Sequence, residues 1–245
     1  MEAAGPSRGE SVAPPEDHES LPWILHAIAH QLSQPLTACR GTLELALLKC
    51  KSAAEYRKAA EKALAAAEKL ATIVQMVREL AEAFEPPGKI VPVDLGVLTR
   101  QVVEDLAPIA ESRGVMVVLD GALEIVINAD EQRLYQAVLK TLHLAILRSP
   151  ARGRVQVALF LPSAGEALLT IQDEGKHFSS LVHGRGREMP EPPAPDQREA
   201  QEYNWILMTA RKIIETAGGS LAAENVAPRG CRICISLPRA PRNSA

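Results

Sequence analysis

What this chain has little of narrows it first. Aromatic residues make up 3% of its 245 positions, too few to build a stacking platform for single-stranded nucleic acid. A surplus of one charge is missing too. The formal net charge is −3, and no basic face stands out that would bind a phosphate backbone by counterion release. Four cysteines in a chain of this length do not make a disulfide scaffold, which points to a reducing compartment. No apolar run reaches the roughly 18 residues of a membrane span. The opening, MEAAGPSRGESVAPPEDHES, is acidic and proline-bearing and lacks a signal-peptide core. The expectation is a soluble, cytoplasmic protein of one or two domains.

What is present begins with a helical pattern. Residues 1–20 read as a disordered tail. From residue 21 to about residue 51, Leu25, Ile28, Leu32, Leu36, Cys39, Leu43, Ala46 and Cys50 recur every three or four positions, the stripe of an amphipathic helix. His30 stands two positions before Leu32, so at about 100° per residue it falls roughly 160° around the helix from that stripe and faces water. Pro35 removes one backbone bond there and bends the axis. A second helix, residues 53–84, carries Ala63, Ala66, Leu70, Ile73, Val77, Leu80 and Phe84 as a heptad seam. Glu85-Pro86-Pro87-Gly88 stops it. A hairpin of two helices with one apolar stripe each cannot bury both alone. Pairing two copies into a four-helix bundle would; packing on the rest of the same chain is the alternative.

Beyond residue 88 the pattern becomes mixed. Residues 90–93 read as a short strand, 95–113 as a helix, 115–119 and 124–127 as strands, and 130–147 as a helix. Residues 155–161 and 168–172 read as a strand pair. Residues 176–200 form a polar, proline-bearing loop of unusual length. Residues 203–217 read as a helix ended by Gly218-Gly219, and 221–223 with 231–237 close the sheet. This order suggests a two-layer α/β sandwich. The domain bounds expected are 21–86 and 89–240, with tails at 1–20 and 241–245. Cys231 and Cys234 would point to opposite faces of a strand. They read as packing residues rather than metal ligands, as do Cys39 and Cys50 on the helical stripe. His143 reads as an ordinary helix residue, and His177, His183, Arg185 and Arg187 as solvated loop residues.

Ala29-His30-Gln31-Leu32-Ser33-Gln34-Pro35-Leu36 is similar to the H-box of sensor histidine kinases, and later segments follow that family's order. Ala129-Asp130-Glu131-Gln132-Arg133-Leu134-Tyr135-Gln136-Ala137-Val138-Leu139 resembles the lead-in to the N-box, and Ser149-Pro150 resembles its end. Leu169-Thr170-Ile171-Gln172-Asp173-Glu174-Gly175 resembles the first glycine box. Ala210-Arg211-Lys212-Ile213-Ile214-Glu215 with Gly218-Gly219 resembles the helix and turn after the second. Arg229-Gly230-Cys231-Arg232-Ile233-Cys234-Ile235-Ser236-Leu237-Pro238 is similar to the final strand. The resemblance spans about residues 21 to 240. It implies an α + α/β chain: an antiparallel helical hairpin forming a dimeric four-helix bundle, then a two-layer α/β sandwich of the histidine kinase ATPase type.

By the same resemblance His30 is the phosphoacceptor. Gln31 stands where the family has an acidic residue, and an amide can accept a hydrogen bond but cannot take a proton. Gln34 stands where related proteins orient a water for dephosphorylating a regulator. In the second domain the resemblance implies a nucleotide pocket containing Asp173, which would read the adenine amino group, Gly175, and Lys140, which would offer charge to phosphates. Other positions depart from the pattern. Leu144 stands where an asparagine holds Mg²⁺, and leucine has no oxygen for a hard cation. His177 replaces a glycine. Asn204-Trp205-Ile206-Leu207 occupies the place of closely spaced glycines whose N–H groups approach phosphate, and reads more simply as an extended helix start.

The function expected is phosphoryl transfer through His30 to or from a response-regulator aspartate. ATP and Mg²⁺, the cofactors the resemblance implies, would be used weakly or not at all, and no metal site is expected. One alternative is a divergent ATP-dependent kinase that autophosphorylates His30. The other is a pseudokinase scaffold that binds a kinase or regulator. The partners expected are a receiver domain, a second copy of the chain and an upstream sensor kinase, without nucleic acid or a membrane span.

Overall fold

The computed structural model describes residues 21–121, 124–163, 165–177 and 198–240. The two expected tails lie outside the described residues, as does most of the loop at 176–200, including His183, Arg185 and Arg187. The chain divides into two compact units, Met1–Val77 and Arg78–Ala245.

The first unit is a helical hairpin. Helix α1 (Leu21–Lys49) continues through Pro35, and α2 (Ala53–Phe84) follows after three residues. Ser52 and Glu55 make the turn sharp. The Ser52 Oγ accepts the Glu55 N–H at 3.3 Å, while the Glu55 carboxylate accepts the N–H groups of Lys51 at 2.7 Å and Ser52 at 3.3 Å. This reciprocal box satisfies donors that a helix start otherwise leaves open. Those bonds also hold the Glu55 carboxyl below its ordinary range. The buried side chains described in this unit are small: Ala46, Ala63 and Ala66. Leu25, Leu36, Leu43, Leu47, Leu48, Leu64 and Val74 are exposed. A single copy of the hairpin therefore leaves much of its apolar surface in water.

The second unit begins within α2, whose Leu80 and Ala83 are buried. It continues as β1 (Ile90–Asp94), α3 (Leu95–Arg113), β2 (Met116–Asp120), β3 (Val126–Asp130), α4 (Glu131–Arg148), β4 (Arg154–Ser163), β5 (Glu166–Gln172), α5 (Arg198–Thr216), β6 (Ser220–Asn225) and β7 (Cys231–Pro238). The five-stranded sheet has the order β2-β4-β5-β7-β6. Strand β2 runs parallel to β4, and the other neighbours are antiparallel. Alternation decides its faces. Val155, Val157 and Leu159, then Ala167, Leu169 and Ile171, then Cys231, Ile233, Ile235 and Leu237 are buried with the apolar sides of α3, α4 and α5 in one core. Their alternates carry polar cross-strand contacts, such as Arg232 with Gln172 at 2.9 Å and with Glu224 at 3.0 Å.

Two boundaries differ from the sequence pattern. The strands expected at 90–93 and 124–127 pair with each other, as a separate antiparallel ribbon with Val93 opposite Ile127. That pairing extends β3 to Asp130, whose side chain then caps α4 by accepting the Arg133 N–H at 3.2 Å. Helix α5 begins at Arg198, five residues before the apolar periodicity does, because Arg, Glu, Ala and Gln there are good helix formers that set no apolar stripe. Among the described residues, no helix is long and apolar enough to cross a membrane.

Asp94 caps α3 by accepting the N–H groups of Gly96 at 2.8 Å and Val97 at 3.2 Å. Asp94→Ala should lower stability by about 1 kcal/mol, read as a lower urea midpoint with an unchanged denaturant slope.

Candidate functional site

His30 lies on α1 and is exposed; Gln34, one turn further on, is exposed as well, and Gln31 is half-buried. Residues four apart are neighbours on a helix surface, so the Gln34 amide and the His30 imidazole share one patch. Ser33, between them, turns its hydroxyl back onto the Ala29 carbonyl at 2.7 Å. The arrangement is an accessible imidazole with an amide beside it and no carboxylate within one turn in the sequence.

The second cluster forms around Asp173, just past the end of β5. Its side chain is 1% exposed, and a carboxylate so buried must be met by donors. Oδ1 accepts the N–H of Gly175 at 2.7 Å and that of Cys231 at 3.2 Å. Oδ2 accepts from Nε of Arg148 at 3.0 Å. Arg148 is the last residue of α4 and is itself 6% exposed. Its terminal nitrogen donates to the Lys176 carbonyl, and its guanidinium carbon lies 5.4 Å from the centre of the Tyr203 ring on α5. The glycines follow from this crowding. A Cβ at Gly175 would lie 2.7 Å from the Arg148 carbonyl oxygen, and one at Gly230, where φ is +109°, would lie 2.2 Å from the Asp173 carbonyl oxygen. Asp173 and Gly175 are thus joined by the Gly175 N–H. Arg148 meets them too, and the sequence pattern did not single it out.

Lys140 is on α4, eight residues before Arg148, which is roughly 12 Å along the helix. It pairs with Glu79 of α2. Leu144, between them, is fully buried. Asn204-Trp205-Ile206-Leu207 is helical, with Trp205 and Leu207 buried. His177 Nε2 lies 2.9 Å from the Val226 carbonyl, which makes that nitrogen the donor. His143 is half-buried on α4; burial, and then the charge of Arg113, hold its pKa below the ordinary imidazole value. Cys231 faces the core and Cys234 the opposite side of β7. Burial first, and the Asp173 charge second, push the Cys231 thiol up to about 12.

The His Kinase A (phospho-acceptor) domain matches residues 24–83, the stretch that carries His30. In sequence the chain is similar to a sensor histidine kinase. It is 26% identical over 231 residues to the sensor protein SphS of Synechococcus elongatus, and it spans 55% of the length of that curated relative. Its fold is similar to that of histidine kinase ThkA in complex with the response regulator protein TrrA, with a TM-score of 0.65, 16% identity, and coverage of 92% of this chain and 64% of that one. It is also similar to histidine kinase AdeS of Acinetobacter baumannii, with a TM-score of 0.57, 17% identity, and coverage of 86% and 98%. The helical hairpin followed by a mixed α/β domain is therefore the architecture of a histidine kinase core.

Arg148→Met should cost about 3 to 5 kcal/mol, because it leaves a buried charge without its partner. Adding Asp173→Asn should recover more than half of that loss in denaturant unfolding, since the amide oxygen still serves both N–H groups. Cys231 holds its proton in the native chain well above the ordinary thiol range. Its contribution to stability should fall as pH rises from about 9 to 12, where the unfolded thiol ionises and the native one does not. At pH near 8.5, iodoacetamide should label Cys39 and Cys50 of the folded protein much faster than Cys231, as peptide mass spectrometry would show.

Proposed function

We propose that this chain transfers phosphoryl groups through His30, to or from the aspartate of a response-regulator receiver domain, and makes little or no use of ATP. The observation that carries this reading is an exposed imidazole within a matched phospho-acceptor domain, in a chain whose second unit has polar groups turned on one another. In the transfer, a ring nitrogen of His30 attacks the phosphorus of the aspartyl phosphate. The new P–N bond forms as the acyl P–O bond breaks, and the regulator's carboxylate leaves. Any metal that this exchange needs would be held by the regulator. His30 has only to be accessible and correctly held, which a helix surface does.

The cofactors of the family, ATP and Mg²⁺, do not fit the residues present. Leu144 offers no oxygen to a cation. Asp173 already accepts three hydrogen bonds from its own chain. The Lys140 ammonium is paired with Glu79. The bulky helical segment 204–207 replaces bare backbone N–H groups that could approach phosphate. Each position supports the same reading, and none depends on another.

A second copy of the chain completes the hairpin in this reading. The exposed leucines of α1 and α2 would be buried in a four-helix bundle, which also explains why the buried positions of the single hairpin are small. The receiver would dock on that bundle beside His30. The likeness to ThkA in its complex with TrrA supports this choice of partner class.

A receiver domain carrying a labelled aspartyl phosphate should pass acid-labile label to the wild type and none to His30→Ala. Gln34→Ala should keep acceptance while lengthening the lifetime of the labelled regulator several-fold. Acid-labile label appearing at His30 from γ-labelled ATP would instead make the chain an autokinase and overturn the ATP half of the reading. Retention of regulator binding without any transfer would make it a scaffold.

A further inference from the structure

The cluster around Asp173 has the form of a binding site whose occupant is part of the chain. A guanidinium is flat and delocalised, and carries N–H donors along its edge. Those are also the features of an amino-substituted heteroaromatic base. Arg148 uses each of them. One N–H meets a carboxylate, a second meets the Lys176 carbonyl, and the plane lies near an aromatic ring. The surroundings are crowded to the point that neither Gly175 nor Gly230 could carry a Cβ without a clash. At 6% exposure, the Arg148 side chain leaves no room for a second flat group at the same carboxylate.

We propose that Arg148 is the permanent internal occupant of an aminopurine site, and that the site is latent: removing the side chain reopens it to an adenine ring. This rests on the reading above that ATP is not used, and supplies its physical cause at the base end of the pocket. The placement of Arg148 favours an occupant that does not exchange. It leaves α4 at the last helical residue, next to Ser149, whose N–H and hydroxyl both return to the Ala145 carbonyl, at 3.1 and 2.9 Å. The backbone that carries the guanidinium is thereby fixed. The receiving carboxylate is equally fixed, by the N–H groups of Gly175 and Cys231. Two rigid elements hold the two halves of the pair, so an incoming base would have to displace an arginine whose anchor cannot swing away.

The test uses adenosine as the probe, because it carries the ring and its amino group without phosphates. Thermal melts of the full chain are measured with and without millimolar adenosine for the wild type, Arg148→Ser, and Arg148→Ser combined with Asp173→Asn. A ligand that binds only the folded state raises the melting temperature. The expected result is no shift for the wild type, a clear rise for Arg148→Ser, and loss of that rise in the double variant, with calorimetry giving a roughly tenfold or greater gain in affinity over the wild type. A folded Arg148→Ser that ignores adenosine overturns the proposal and leaves the phosphotransfer reading untouched. Wild type that binds adenosine as well as the variant does overturns it too, and label from ATP on His30 in the same preparation would take the ATP half of that reading down with it. Should Arg148→Ser not fold, amide hydrogen exchange of the wild type decides. Gly175 and Cys231 N–H groups as protected as the β5–β7 ladder, and unchanged by adenosine, support a closed site. Fast exchange, or protection gained on adding adenosine, overturns it.

Discussion

A carboxylate taken out of water has to be met by donors from wherever the chain can supply them, and Asp173 draws three segments together for that purpose. Its own segment leaves β5, Cys231 opens β7, Gly175 follows in the next turn, and Arg148 arrives from the end of α4. Tyr203 then brings α5 against the guanidinium. The desolvation of the two charges is offset only when each is both paired and hydrogen-bonded, and here each is. Much of the local order of the second unit follows from this requirement. The two glycines are small because the pair is crowded, and the Cys231 thiol stays protonated because it is buried, the Asp173 carboxylate nearby adding to the effect.

The start of the second unit is held by the same kind of contact at lower stakes. Leu80 and Ala83 of α2 are buried. Around them Glu79 pairs with Lys140, Phe84 lies 4.8 Å under the Lys212 ammonium, and the Glu85 carbonyl accepts from Arg133 at 2.8 Å. The Gly88 N–H then reaches Asp130 at 2.8 Å. Lys140 and Arg133 of α4 and Lys212 of α5 are thus engaged with the end of α2 and the linker after it. A half-buried ion pair of this kind fixes geometry more than it adds stability. It also means that the charge of Lys140 is spent locally.

The second unit has the mixed α/β architecture of a histidine kinase core, and several of its polar side chains satisfy one another. On α1 the imidazole of His30 is open to water. Function resides in particular side chains rather than in an architecture, and the architecture here rests on the apolar alternation of its core.

How much of this is legible in the sequence depends on the range of the interaction. Helices α1, α3 and α4 and strand β7 stand where periodicity places them, because the apolar side of a helix or strand is a local property of the chain. The outward face of His30 is legible for the same reason, needing only the angle to Leu32. The start of α5 is not, since helix propensity without apolar periodicity carries it. The pairing of β1 with β3 is not, because either strand could join the larger sheet as far as its own residues can tell. The partner of Asp173 lies 25 residues away in sequence, and Arg148 on its own is an ordinary basic residue at a helix end. The sequence by itself determined most of the elements, the buried faces of the second unit and the exposure of His30, all of which arise from neighbours within a few turns. Only the tertiary structure decided that Arg148 and Asp173 meet and that Lys140 turns to Glu79. Charges choose partners by distance in space, and that distance exists only once the layers have packed.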